Sequence, residues 1–224
     1  VRYILEMMNS IGLDIITDGE WRRRSYTDVI AQMVYGFRLG VPEVKQQHPM
    51  PQAMAKGSYH TVIEPMHHRQ HFIAKEAKFV KDHTDRKIKV SVPSPFILGQ
   101  RMWDPTLSRK AYPTRRGFIE ASIPFLRKEV EAIRDVGVHM IQIDEPHISG
   151  FLDSNAQQFF DNPETDLDFL IDCINQVIQG IDGVRIAIHV CGFNRAREGW
   201  RNEGSYWPVL PALQKLDVHE YALE

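Results

Sequence analysis

Cysteine is nearly absent from this sequence. Its 224 residues hold only Cys173 and Cys191, so no disulfide framework staples the chain. A surplus of one charge is missing too: 27 Lys and Arg stand against 29 Asp and Glu, a formal net charge of -2. That balance gives no electrostatic case for a nucleic-acid partner. No apolar run approaches the roughly 18 residues that a membrane helix needs, so no membrane partner is expected. The opening VRYILEMMNSIG reads as an amphipathic helix, not a signal peptide, and the chain is expected to be cytoplasmic. The basic run Arg22-Arg23-Arg24 beside Trp21 is short enough to be a solvated face, with an anion site as the alternative.

What the sequence does have is a repeated helix–strand rhythm. Apolar spacing at Tyr3/Ile4, Met7/Met8 and Ile11 predicts a helix ended by Gly12, then a strand over Leu13 to Asp18. A helix from Ile73 to His83 precedes a strand over Ile88 to Val92, stopped by Pro93-Ser94-Pro95. A helix from Arg115 to Val136, with Ile119, Ile123, Leu126, Val130 and Ile133 on one face, precedes Val138 to Asp144. Pro124 is expected to kink or divide it. Two further units run from Asp166 to Val190 and from Val209 to Glu224. Five such units imply a parallel sheet in an α/β fold. The stretch from Gly40 to Met66, with prolines at 42, 49, 51 and 65, reads as an irregular arm, placed over the site as long barrel insertions usually are.

Polar residues gather where these strands end: Asp18-Gly19-Glu20, Pro93-Ser94-Pro95, Asp144-Glu145-Pro146, His189-Val190-Cys191-Gly192 and Glu224. Each alone is ordinary turn chemistry, but together they mark the carboxyl rim on which α/β barrels build active sites. Alternation along a strand turns Ala187, His189 and Cys191 one way and Ile186, Ile188 and Val190 the other, and Glu220, Ala222 and Glu224 share a face in the last strand. Imidazole, thiolate and carboxylate are ligands that zinc accepts. A buried histidine next to a small apolar cysteine is the competing reading. Cys173, among Leu170, Ile174 and Val177, reads as core packing, and His67, His68 and His71 as surface histidines.

The stretches LDIITDGEWRR (13 to 23), VPSP (92 to 95), IQIDEP (141 to 146), HVCGFN (189 to 194) and LDVHEYALE (216 to 224) resemble, in order, the catalytic barrel of cobalamin-independent methionine synthase, and in particular its short single-barrel homologues. Gly204-Ser205-Tyr206 is similar to a turn in those homologues. The resemblance implies a (β/α)8 barrel of the methionine synthase and uroporphyrinogen decarboxylase type. It also implies a zinc ion that binds homocysteine as its thiolate and a methylated folate as donor. Carried over, His189, Cys191 and Glu224 would be zinc ligands, Asp144 would hold the amino group of the substrate, and Glu20 would sit near the same amino acid. Asp18, Ser94, Glu145, Trp21 and Arg22 complete the expected substrate-binding set, with Arg23 and Tyr26 beside them as a basic and aromatic group for a folate tail. Glu145 equally suits a helix cap.

Three departures matter. The family draws a second cysteine ligand from a later strand, whereas no cysteine follows Cys191; Trp21 and Phe193 differ within their motifs; and five strands are visible where eight close a barrel. The expectation is one barrel domain over 1 to 224, a fragment that lacks the first strand and the last two, with small-molecule partners and a possible homo-oligomeric state. The first function is zinc-dependent methyl transfer to homocysteine or a related thiol, giving methionine or a thioether. The alternatives are addition of a zinc-held thiolate to an epoxide, as in coenzyme M transferase-like barrels, and a metal-free decarboxylase or binding barrel.

Overall fold

A computed structural model describes residues 1–39, 60–152, 160–192 and 205–224. In chain order these residues form α1 (Arg2–Ser10), β1 (Ile15–Ile16), α2 (Ile30–Met33), β2 (Val34–Leu39), β3 (His60–His68), α3 (Ile73–Lys81), β4 (Lys87–Pro93), α4 (Pro95–Met102), α5 (Arg115–Val136), β5 (Met140–Asp144), a 3-10 turn (Pro146–Leu152), α6 (Pro163–Ile178), β6 (Arg185–Val190), α7 (Leu210–Leu213) and β7 (Glu220–Leu223). Five strands make one parallel sheet in the order β1-β4-β5-β6-β7. Each neighbour pair is joined through helix, and the sheet curls as half of a barrel.

Alternation along these strands separates two faces. Ile88, Val90, Val92, Ile141, Ile143, Ile186, Ile188 and Val190 are buried against the helices, each contributing roughly 1.5–3 kcal/mol. Register puts Ser91 beside Gln142, Asp144 beside His189, and His189 beside Ala222. The opposite face of the sheet is therefore polar and carries its charges towards the carboxyl rim. On α5, Phe118, Ile119, Ile123, Leu126, Val130 and Ile133 are buried, as the spacing predicts. Thr114 caps its start by accepting from the Gly117 amide at 3.0 Å, and Gly137 ends it at φ 81°. Pro124 does not divide the helix. It lies on the exposed side, where water can take the carbonyl that its missing N–H leaves free. Cys173 is buried in α6 beside Leu170, Ile174 and Val177, and burial pushes its thiol up to about 12.

Other expectations change. The first strand is Ile15–Ile16 alone, the last helix is Leu210–Leu213, and the last strand is Glu220–Leu223. In α1, Leu5 is buried while Tyr3, Met7 and Ile11 are exposed, so the spacing marks the helix but not its inward face. The stop at Pro93-Ser94-Pro95 also starts a helix: Ser94 accepts from the Phe96 and Ile97 amides, and Pro95 supplies the preset φ of the first turn. The arm expected to be irregular from Gly40 to Met66 follows β2 and ends within β3, and these two strands pair as an antiparallel ribbon bulged between Tyr35 and Phe37. Gly36 makes the bulge at φ 108°, where a Cβ would meet the Glu64 carbonyl at 2.8 Å. The ribbon rests on the α4–α5 connection. Ser108 Oγ donates to the Val62 carbonyl at 2.6 Å, the Met66 amide donates to Tyr112 Oη at 2.8 Å, and Phe37 meets Phe118 edge-on. Residues 40–59 of the arm, with Pro42, Pro49 and Pro51, lie outside the described residues, as do Phe193, Asn194 and Gly204. Among the described residues, no helix is long and apolar enough to cross a membrane.

Candidate active site

The rim of the half-barrel is built from β1, β4, β5, β6 and β7. His189 is the penultimate residue of β6 and Cys191 follows the strand, so both point to the polar face, as does Glu224 after β7. One imidazole nitrogen, the Cys191 sulfur and a Glu224 carboxylate oxygen all lie within 4.8 Å of one another. Among the described residues no other group of three or more His, Cys, Asp or Glu gathers in this way. His189 Nδ1 lies 3.2 Å from the Ala222 carbonyl. A proton on Nδ1 serves that bond and leaves the Nε2 lone pair for a metal, the usual outer-shell arrangement for a histidine ligand. Glu224 Oε2 accepts from the Gly192 amide at 3.3 Å. Tyr206 Oη donates to the Glu224 carbonyl at 3.0 Å, and Ser149 Oγ donates to the Cys191 carbonyl at 2.7 Å. The donor set and its convergence fit a zinc ion, to which these three residues would offer imidazole, thiolate and carboxylate ligands.

Asp144 closes β5 beside His189 and is buried. Gln142 Nε2 donates to Asp144 Oδ1 at 2.7 Å, while Lys89 Nζ donates to Gln142 Oε1 at 2.9 Å. Burial pushes the Asp144 carboxyl above its usual range, against the Gln142 bond and the charges of His189, Arg23 and Lys89. Glu20 sits across the rim in the left-handed region at φ 57°, its amide donating to Asp18 Oδ1 at 2.9 Å. Burial lifts its carboxyl to about 7; Arg23 opposes the rise, and Asp144, Asp18 and Glu76 add to it. A buried carboxyl displaced this far makes Glu20 a candidate functional residue.

The remaining expectations divide. Ser94 and Glu145 are fully buried and bonded to protein: Ser94 Oγ donates to Glu145 Oε2, which also accepts from the Ile97 amide at 3.1 Å, and Glu145 Oε1 lies 2.8 Å from the His147 amide nitrogen and 2.9 Å from its Nδ1. Both brace the start of α4 and of the 3-10 turn, so Glu145 takes the cap role and neither presents a free polar atom to substrate. Trp21 is 70% exposed, with its ring over Gly19. Arg22 stacks over Phe79 of α3 at 4.0 Å, and Tyr26 lies beneath Arg101. Arg22 and Arg23 line one pocket with Arg24 and His60, whereas Trp21 and Tyr26 are not part of its lining. His71 Nδ1 lies 2.8 Å from Glu129 Oε2, while His67 and His68 are exposed.

Arg23, expected beside a folate tail, is instead paired with Glu20 and with Glu76, a residue that the sequence reading does not single out. The Arg23 guanidinium is 2% exposed and reaches Glu20 Oε1 at 2.6 Å, Glu76 Oε2 at 2.9 Å and the Ser91 carbonyl at 2.9 Å.

A curled parallel α/β half-barrel with a polar carboxyl rim and a His–Cys–Glu cluster defines a class, the α/β barrels with a candidate metal site at the rim. The sequence model of the cobalamin-independent synthase catalytic domain matches residues 1–198, and the chain belongs to that family. It is 26% identical over 216 residues to the methionine synthase of Sulfolobus acidocaldarius, covering 95% of this chain and 52% of that protein. To the methionine synthase of Pyrococcus furiosus it is 22% identical over 223 residues, covering 99% and 55%. The chain thus spans about half the length of these relatives. In fold it is similar to a B12-independent methionine synthase from Shewanella sp. W3-18-1, solved in complex with selenomethionine, with a TM-score of 0.72 at 20% identity over 98% of this chain and 60% of that one.

Proposed function

We propose that this chain carries the zinc and amino-acid half of a thiol methyltransferase site, one that moves a methyl group from a methylated folate to homocysteine or a related thiol. The observation that carries the reading is the convergence of His189, Cys191 and Glu224 within 4.8 Å on the rim that also bears Asp144 and Glu20. A zinc ion held there would bind the substrate sulfur and deprotonate a thiol whose free pKa is about 8.5, making it nucleophilic at neutral pH. Asp144 and Glu20 supply negative charge for the ammonium of the same substrate. Gln142 and Lys89 hold the Asp144 carboxylate in place through their 2.7 and 2.9 Å bonds. The names of the relatives, methionine synthase and, in Nitrosomonas europaea, 5-methyltetrahydropteroyltriglutamate–homocysteine methyltransferase, support the choice of thiol and donor over an epoxide.

The test is elemental analysis of the full-length protein together with a methyl-transfer assay. The expected result is about one zinc per chain, most of it lost in Cys191→Ser with the activity, and kept in Cys173→Ala. Unchanged zinc in Cys191→Ser would remove the metal assignment, and transfer from a methylated folate that needs no zinc would remove the mechanism.

A further inference from the structure

Arg23 is a buried cation shared by two carboxylates from different elements. It lies in the loop after β1, and its Nη1 reaches Glu20 Oε1 at 2.6 Å while its Nε reaches Glu76 Oε2 at 2.9 Å. Glu76 lies in the first turn of α3, with its side chain only 4% exposed. Its Oε1 is buried with no hydrogen-bond partner among the described residues. A pair serving only to hold α3 to the sheet would be expected to satisfy both oxygens, because a buried orphan acceptor costs about 1–3 kcal/mol. Arg23 Nη1 also donates to the Ser91 carbonyl in β4 at 2.9 Å, so the guanidinium is pinned from a third side. Glu20, by contrast, is 31% exposed and holds a left-handed backbone conformation that a non-glycine residue adopts only under constraint. Its position at the mouth is imposed by Arg23 on one side and by the Asp18 turn on the other.

We propose that Arg23 and Glu76 are positioning residues for Glu20: Glu76 anchors the guanidinium to α3, and the anchored guanidinium fixes the Glu20 carboxylate at the mouth opposite Asp144 while leaving it part of its charge. The last clause follows from sharing. One cation divided between two carboxylates neutralises neither, so Glu20 keeps charge for an incoming ammonium. The charged groups acting on Glu20 are Arg23 and Asp18 from its own loop, Glu76 from α3 and Asp144 from β5. Those acting on Glu76 are Arg23, Asp18 and Arg22. Lys89 and His189 act on Asp144. This inference rests on the reading above for the identity of the cation, but not for the charge sharing itself.

The test uses the full-length protein with Glu76→Gln, which keeps shape, and Arg23→Lys and Arg23→Met. Carboxyl-carbon NMR titration in the absence of substrate, with the Glu20 signal assigned by its loss in Glu20→Gln, reads the network without any activity. Glu76→Gln should lower the Glu20 midpoint by on the order of one pH unit, because a like charge is gone and the guanidinium is less shared; Arg23→Met should raise it, and Arg23→Lys should fall between. Kinetics then test the consequence: Arg23→Met should raise the KM for homocysteine about tenfold and leave that for 4-mercaptobutyrate, its analogue without the amino group, nearly unchanged. A Glu20 midpoint that stays within a few tenths in Glu76→Gln overturns the proposal and leaves Glu76 a brace. A shifted midpoint in a protein that does not methylate homocysteine keeps the network and removes only the reading of the site.

Discussion

Replacing Glu20 by Gln removes a carboxyl that burial has moved from 4.5 to about 7. The folded protein therefore binds this proton more tightly than the unfolded chain does. Stability tied to it is fully present below about pH 4.5 and is lost as pH rises towards 7, after which the cost is constant. At 1.36 kcal/mol per pH unit the full cost is about 3 kcal/mol, reduced towards about 2 kcal/mol because the side chain is partly open to solvent. Gln has no such cost, so Glu20→Gln should gain about 2 kcal/mol on the wild type between pH 5 and pH 8. Urea unfolding of the full-length protein at the two pH values, with chelator present to remove metal linkage, measures this. Asp144 and Glu76 are also pushed up by burial, but they titrate in both proteins and cancel to first order. Parallel pH dependences for the two proteins would refute the assignment of a raised carboxyl to Glu20.

Asp144→Asn should lower kcat/KM for homocysteine by roughly 10- to 100-fold, the cost of one charge-assisted bond, and change 4-mercaptobutyrate far less; equal losses would argue against an ammonium partner. Ser94→Ala should destabilise by about 2 kcal/mol, since it removes the cap of α4 and a donor to the buried Glu145, while zinc content stays the same; a zinc loss would place Ser94 nearer the chemistry than its contacts do.

How much of the fold and site is legible in the sequence depends on period and range. The α5 helix and its buried stripe follow from Ile119, Ile123, Leu126, Val130 and Ile133, because 22 residues of one period outweigh a single proline. The alignment of His189, Cys191 and Glu224 is legible because a strand alternates with a strict period of two, and parallel register then carries the alignment across. The start of α4 is masked although Ser94-Pro95 is a cap followed by a first-turn proline: the same residues end β4, and the stop signal covers the start signal. The ribbon hides because its strands are separated by 20 residues, 40–59, and close on α4 and α5 rather than locally. Glu76 leaves a fainter trace. It falls three residues after Ile73 and four before Val80, on the inward stripe of α3, where an acid needs a partner. Nothing local marks Arg23 among three successive arginines, since its burial is decided by contacts to Glu76 and Ser91, 53 and 68 residues away.

The charges around the rim also constrain which end of a substrate each part can hold. Asp18, Glu20, Glu76 and Asp144 lie in a region whose acting cations include Arg23, Arg22, Lys89 and His189, and burial, more than charge imbalance, displaces Glu20, Glu76 and Asp144 upward. A bound ammonium would add a positive charge that favours the ionised form of these buried carboxyls. It would draw Glu20 and Asp144 back towards their ordinary range, so binding of an ammonium there is linked to the protonation of these carboxyls. An anionic group meets the opposite balance: placed against these carboxylates it would push them further up. On the proposed function, the carboxylate of the substrate and the acidic tail of a folate would be held outside this part of the rim. Arg23 cannot serve either of them, because its guanidinium is enclosed by Glu20, Glu76 and the Ser91 carbonyl.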